Sequence, residues 1–268
     1  DMLGAAGFTI AVAALVLAIV EGQTWGWWSV RTLVLFAVVP VVLVAIWRRS
    51  VHHASPIVDP QMLRVRSFAL ALLGSILFYA GFGAMLLGGV LFLTGVWHES
   101  VLSAGLMLAP GPVLAATFSV VSSRLAGRVG FRALGVFGTL LVSAAAVWWI
   151  LRNGDAPSYP TTYLPGMLLT GIGVGFTIPI LTGAGVASLA PERFATGVAV
   201  ITMGRQVGSA LGVAILVAVL ATGASTAADF HHAWLIVLCG SLGSAAALAA
   251  LGSARTRAPT GALATELS

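Results

Sequence analysis

Arg205 is a charged side chain set deep in an otherwise apolar run, about eight residues and roughly 12 Å from the start of that run, and Gln206 follows it. If lipid solvates the run, a guanidinium there costs on the order of 2.5–3.5 kcal/mol at a helix centre. Its retention then reads as a polar contact in a water-filled cavity or a gating network. The alternative is a long side chain that snorkels to the headgroups. Tyr79, Phe82 and Met85 in one run, and Phe176 and Thr177 in another, are large or polar groups among small neighbours. Adaptable aromatic and methionine surfaces suit hydrophobic, chemically varied ligands, and ordinary bundle core is the competing reading.

Other chemistry is harder to place. His52, His53, His98, His231 and His232 fall between apolar runs, so metal ligation or proton relay is not expected of them. No nucleophile–base pair, phosphate-cradling loop or metal-spaced cluster is evident, and no cofactor is expected. The glycine-dense Gly171–Gly175 stretch lacks the preceding strand that a dinucleotide loop requires. Cys239, the only cysteine, lies within an apolar run and reads as a small buried hydrophobe. An enzyme is therefore not expected.

The elements that hold these residues follow from composition. Of 268 residues, 59% are apolar and 8% charged, and mean hydropathy is +1.04. A soluble domain carries about 25% charged residues, so the solvent of this all-α fold is the lipid bilayer. That excludes a soluble enzyme and a nucleic-acid binder, although the net charge is +5. Eight runs are long enough to span: about 3–22, 30–47, 68–93, 102–122, 133–151, 163–188, 196–222 and 233–252. The chain opens at Asp1 without a basic leader and reads as a piece of something longer.

All thirteen basic residues are arginine, and ten fall in alternate loops: Arg48, Arg49, Arg64, Arg66, Arg124, Arg128, Arg132, Arg193, Arg255 and Arg257. The other loops hold only Arg31 and Arg152, beside Glu21, Glu99, Asp155 and Asp229. The excess of arginine marks the cytoplasmic side, which places both termini of the segment inside and agrees with an even number of spans. Trp25, Trp27, Trp28, Trp97, Trp148 and Trp149 cluster at the opposite ends and read as an aromatic belt. Gly171, Gly175, Pro179 and Gly183 recur every four residues, as do Gly204, Gly208 and Gly212. Such stripes let helix backbones approach closely, either as static packing or as smooth surfaces that slide during alternating access.

The loops also carry a resemblance. The segment Ser123-Arg124-Leu125-Ala126-Gly127-Arg128-Val129-Gly130-Phe131-Arg132 resembles the cytoplasmic loop signature G-x-L-a-D-R-x-G-R-[RK] of the major facilitator superfamily. It departs at Ser123, Gly127 and Phe131. Pro56 to Phe68 is similar to the linker of the superfamily's 14-span drug:proton antiporters, as is Ser100-Val101-Leu102-Ser103-Ala104-Gly105 with Leu108-Ala109-Pro110 to their S-x-L-x-A-G…l-P segment. Arg205-Gln206-Val207-Gly208 running on to Gly212-Val213-Ala214 resembles their R-Q-x-G-x-x-x-G-x-A segment. Thr94 stands where that family has glutamine.

The resemblance implies that 1–50 are two extra central helices, 51–67 a cytoplasmic linker, 68–252 the C-terminal six-helix transporter half and 253–268 a disordered cytoplasmic tail. It further implies proton-driven efflux of hydrophobic or cationic small molecules across the plasma (inner) membrane, working with an N-terminal six-helix half that this chain lacks. A dedicated exporter of one self-made compound and a non-transporting scaffold or gene remnant are the alternatives.

Overall fold

A computed structural model describes residues 2–52, 60–221 and 226–251. His53, the rest of 53–59, Arg255, Arg257 and the tail lie outside them. The helices are α1 (Met2–Trp25), α2 (Val30–His52), α3 (Pro60–Arg64), α4 (Arg66–Leu91), α5 (Val101–Leu108), α6 (Pro110–Val129), α7 (Phe131–Arg152), α8 (Leu164–Val186), α9 (Phe194–Leu220) and α10 (His231–Ala249). Six helical segments are long and apolar enough to cross a bilayer: Arg66–Val96, Val101–Val129, Phe131–Arg152, Tyr159–Val186, Pro191–Leu220 and His231–Ala249. They coincide with the last six runs read from sequence. The first two runs are helical as well, but their described apolar stretches, Ala6–Gly22 and Val30–Ile46, are shorter than that criterion.

Local chemistry sets the breaks. Ser100 caps α5, its hydroxyl accepting from the Ser103 backbone N–H at 3.1 Å. Pro110 has no N–H to donate back into the preceding turn, so α5 ends and α6 begins there. A single residue, Gly130, joins α6 to α7 at φ 91°, ψ 151°, a conformation that a Cβ disfavours. His231 and His232, expected in a loop, form the first turn of α10.

Helix neighbours run α9–α4–α10–α7–α8–α6, with α4 also touching α8. Four of these contacts are backbone against backbone. A Cβ on Gly208 or Gly212 of α9 would collide with the carbonyl of Ile76 or Ala80 of α4, and one on Gly204 would lie 2.6 Å from Leu72. On α8, Gly171 and Gly175 face the carbonyls of Gly111 and Ala115 of α6, each 2.8 Å from where a Cβ would be. Gly173 of α8 and Gly138 of α7 abut one another, and Gly240 of α10 lies against Leu77 and Gly81 of α4. Gly183 instead meets the Phe131 ring, and Pro179 is half-buried inside α8. Buried hydroxyls add two cross-links: Ser143 to Ser241 at 2.7 Å between α7 and α10, and Ser122 to the Phe176 carbonyl at 3.1 Å between α6 and α8.

One end of the bundle is an aromatic knot. Phe92 touches Trp97, Tyr163, Phe230 and Trp234, with ring centroids 5.2–6.0 Å away. Trp97 and Trp149, expected in an exposed belt, are instead buried in this knot. Each indole N–H finds a carbonyl there, Gly154 for Trp97 at 2.8 Å and Tyr163 for Trp149 at 3.1 Å, so neither ring needs the headgroup layer. Trp27 and Trp28 are exposed, Trp28 at 88%. Cys239, expected inside, is exposed on α10, because Ala233, Val237, Gly240 and Ser244 take that helix's inward face.

Adding one methyl group tests the tightest contact. Gly212→Ala is expected to destabilise by about 1–3 kcal/mol despite its better helix propensity. Gly105→Ala, with open space around its Cβ, is expected to be neutral or to stabilise by up to about 1 kcal/mol. Thermal unfolding of the purified variants in detergent measures both.

Candidate functional site

Arg205 is the twelfth residue of the 27-residue α9, about 16 Å from the helix start, and therefore near its middle. The α9 helix begins two residues before the run read from sequence, which places Arg205 deeper than that reading had it. The side chain is half-buried, and its guanidinium carbon lies over the Tyr79 ring of α4, 4.6 Å from the centroid. A cation on a ring face gains about 0.5–2 kcal/mol, more as water is excluded.

The contact is positioned from both helices. Gly204 and Gly208 press α9 onto α4 one residue before and three residues after Arg205, so the arginine is held beside the α4 surface at the edge of that interface. On α4, Tyr79 meets Phe78 edge-on at 5.7 Å and Phe82 edge-on at 5.7 Å, while Phe78 and Phe82 stack at 6.1 Å. Tyr79 is 6% exposed, and its hydroxyl lies beside Arg205 without meeting full hydrogen-bond geometry. Phe82 is half-buried and Met85 is buried in the main core.

Gln206 is exposed. Thr202, one helical turn earlier, is exposed as well, which gives α9 a short polar stripe beside Arg205. Sequence reasoning did not single out Thr202; its spacing of four from Gln206 inside an apolar run was the available signal.

Phe176 and Thr177 lie elsewhere. Phe176 packs against Phe118 of α6 at 5.7 Å and Phe137 of α7 at 5.3 Å, in a small cluster with Leu134 and Ile180. Thr177 is fully buried, and its hydroxyl donates to the Gly173 carbonyl at 2.7 Å. Both face the close α7–α8 contact, where a Cβ on Gly138 would touch them. Among the described residues no ring contact joins them to the Tyr79 group. The structure brings together Arg205, Tyr79 and Phe82 at the α4–α9 seam, leaves Gln206 exposed on the far side of α9 from that seam, and leaves Phe176 and Thr177 in helix-packing core.

At the end opposite the aromatic knot, Arg124 and Arg128 are exposed on the last turns of α6, and Arg132 is exposed just after Gly130. None of the three makes a hydrogen bond or ion pair with another described residue. Arg193, at that same end, donates to Gln61 of α3 at 2.9 Å, while Met62 is buried under the start of α9. Among the described residues no group of three or more His, Cys, Asp or Glu side chains could hold a metal ion.

No protein-family model matches the chain. It is 30% identical over 235 residues to the multidrug resistance protein Stp of Mycobacterium tuberculosis, a match covering 86% of this chain and 42% of that protein. It is 32% identical over 237 residues to the puromycin resistance protein pur8 of Streptomyces alboniger, covering 86% and 45%. The methylenomycin A resistance protein of Streptomyces coelicolor is 27% identical over 224 residues, covering 83% and 46%. The chain thus spans less than half the length of these relatives.

Two pairs of substitutions probe this geometry. Tyr79→Phe keeps the ring face and removes a hydroxyl that does not reach full hydrogen-bond geometry with Arg205, so stability is expected to hold within about 1 kcal/mol, whereas Tyr79→Leu is expected to lose about 0.5–2 kcal/mol of cation–π contact along with ring packing. Gly130→Ala is expected to cost about 1–3 kcal/mol, because φ 91°, ψ 151° lies in a positive-φ region kept almost entirely to glycine, while Gly127→Ala, helical and in open space, costs nothing. Thermal midpoints of the four variants decide both comparisons.

Proposed function

We propose, from this chain's membership of the drug- and antibiotic-resistance transporters of the major facilitator superfamily, that it supplies the C-terminal portion of a proton-driven exporter of amphipathic compounds. The observation that carries the reading is Arg205 held over Tyr79 near the middle of a spanning helix, beside the exposed Thr202–Gln206 stripe. Polar groups at that depth are costly against hydrocarbon and belong on a water-filled pathway. The seam between α4 and α9 then forms part of the wall of the transport cavity.

A second half completes the cavity in this proposal. The α5–α6 segment has only 11% of its apolar window buried, against 61% for the span containing α8, and this open face suits a facing bundle. Rocking of two such bundles about a midplane site is alternating access. One proton entering down 100 mV releases about 2.3 kcal/mol, enough for a tens-fold substrate gradient at about 1.4 kcal/mol per decade. In this orientation the arginine-rich end, with Arg124, Arg128 and Arg132, faces the cytoplasm of a plasma-membrane protein.

A narrower substrate range is the second reading. Relatives named for resistance to puromycin or to methylenomycin A favour an exporter dedicated to one antibiotic.

The native gene product, expressed in a drug-susceptible host, is expected to lower the accumulation of several unrelated fluorescent amphiphiles and to lose that effect on dissipation of the proton gradient. Export of a single compound out of the panel favours the dedicated exporter, and export of none overturns the transport reading. Arg205→Ala is expected to reduce export to background with membrane abundance unchanged; undiminished export in that variant removes Arg205 from the pathway.

A further inference from the structure

The five residues of α3, Pro60–Arg64, do more than connect α2 to α4. Met62 is 1% exposed although it lies at the arginine-rich end of the bundle, outside the long spans. Its methyl group fills space beside Gly197 in the first turn of α9, together with Val186 and Leu189 from the end of α8. One residue earlier, Gln61 accepts from the guanidinium of Arg193 at 2.9 Å, and Arg193 is the residue that precedes α9. Leu63 and Val65 add partly buried side chains against the same core. On the other side only Val65 separates α3 from α4, and its N–H donates to the Met62 carbonyl at 3.1 Å. The segment has little slack, and two unlike contacts seat it on the junction between α8 and α9.

Outside the spans water replaces hydrocarbon, so burying Met62 gains hydrophobic free energy that the seams within the bilayer lack. The exposed Gln61–Arg193 bond adds direction more than strength. The α1–α2 hairpin has a second hold on the same helix, because α1 packs along α9. So α9 is gripped along its side by α1 and at its first turn by α3, while α2 packs on α1 and touches α3. We infer that α3 is a strap that stays seated on the α8–α9 junction through the transport cycle, so that the α1–α2 hairpin is carried with the six-span bundle and is not a separate moving part. This inference rests on the transport reading above and adds to it which part of the chain travels with which.

Two cysteine experiments on the native gene product, with Cys239→Ser and any other native cysteines replaced, test the strap. Gln61→Cys and Arg193→Cys are introduced together and joined by a short bis-methanethiosulfonate reagent. Linking is expected to be efficient and to leave export of the fluorescent amphiphiles at the level of the unlinked protein. Failure to link, or export that stops on linking and returns on reduction, overturns the inference. Met62→Cys is labelled separately with a water-soluble maleimide in lipid nanodiscs, beside Arg124→Cys as the exposed control at the same end. Met62→Cys is expected to react about tenfold or more slowly than that control, with and without ethidium and after acidification. Equal rates, or a Met62→Cys rate that climbs to the control's under either condition, overturn it too. Absence of export from the unaltered protein removes the transport reading and leaves linking and labelling to decide the strap.

Discussion

In lipid, two helices gain nothing by hiding apolar side chains from one another, because the surrounding hydrocarbon is equally apolar. What remains is dispersion, which rewards contact only at close range. The bundle depends on that constraint at four of the five seams along its neighbour order, α7–α10 being the exception. Glycines at 208 and 212 let α9 lie on the carbonyls of α4, and those at 171 and 175 do the same for α8 on α6. Wherever backbones come this close, side chains are pushed to the flanks. Arg205 is such a flanking residue, and the ring it finds, Tyr79, flanks the same seam from the other side.

The two ends of the bundle are built differently. One is tied by indole and phenol groups whose polar atoms reach backbone carbonyls, as with Trp148 to Thr162 and Tyr159 to Met107. The other ends in exposed arginines and the one-residue junction at Gly130, with Arg193 tied to Gln61.

The sequence makes plain the properties that need no knowledge of neighbours. Helical class, the six later spans and the arginine alternation follow from composition and length alone, and Arg205 stands out by its charge. Which face of each helix turns inward is much less legible, because helices that are apolar all round carry no amphipathic signature. That is why Phe176 and Thr177 read as cavity-lining yet pack against α7, and why Cys239 reads as buried yet faces out. Trp97 and Trp149 mislead for a related reason: a tryptophan near a helix end satisfies its N–H equally well with headgroups or with a carbonyl, and only the fold decides. Thr202 gains meaning only once its helical turn is seen beside Gln206 and Arg205.

The neighbour order also has a consequence in time. The α4 helix packs chiefly on α9 and α10, and the Leu72 contact with Gly204 joins residues 132 positions apart. At ribosomal rates of about 5–20 residues per second, α4 waits roughly 7–26 seconds in the membrane before its partner emerges. Until then Gly83, which faces Ser209 of α9, has only lipid or a chaperone to rest against, and Gly81, which faces Val237 and Gly240 of α10, waits longer still. The seam that carries Arg205 is therefore among the last parts of the bundle to form, and a ribosome that stalls within α9 leaves behind four of the six long spans without the helix that packs on α4.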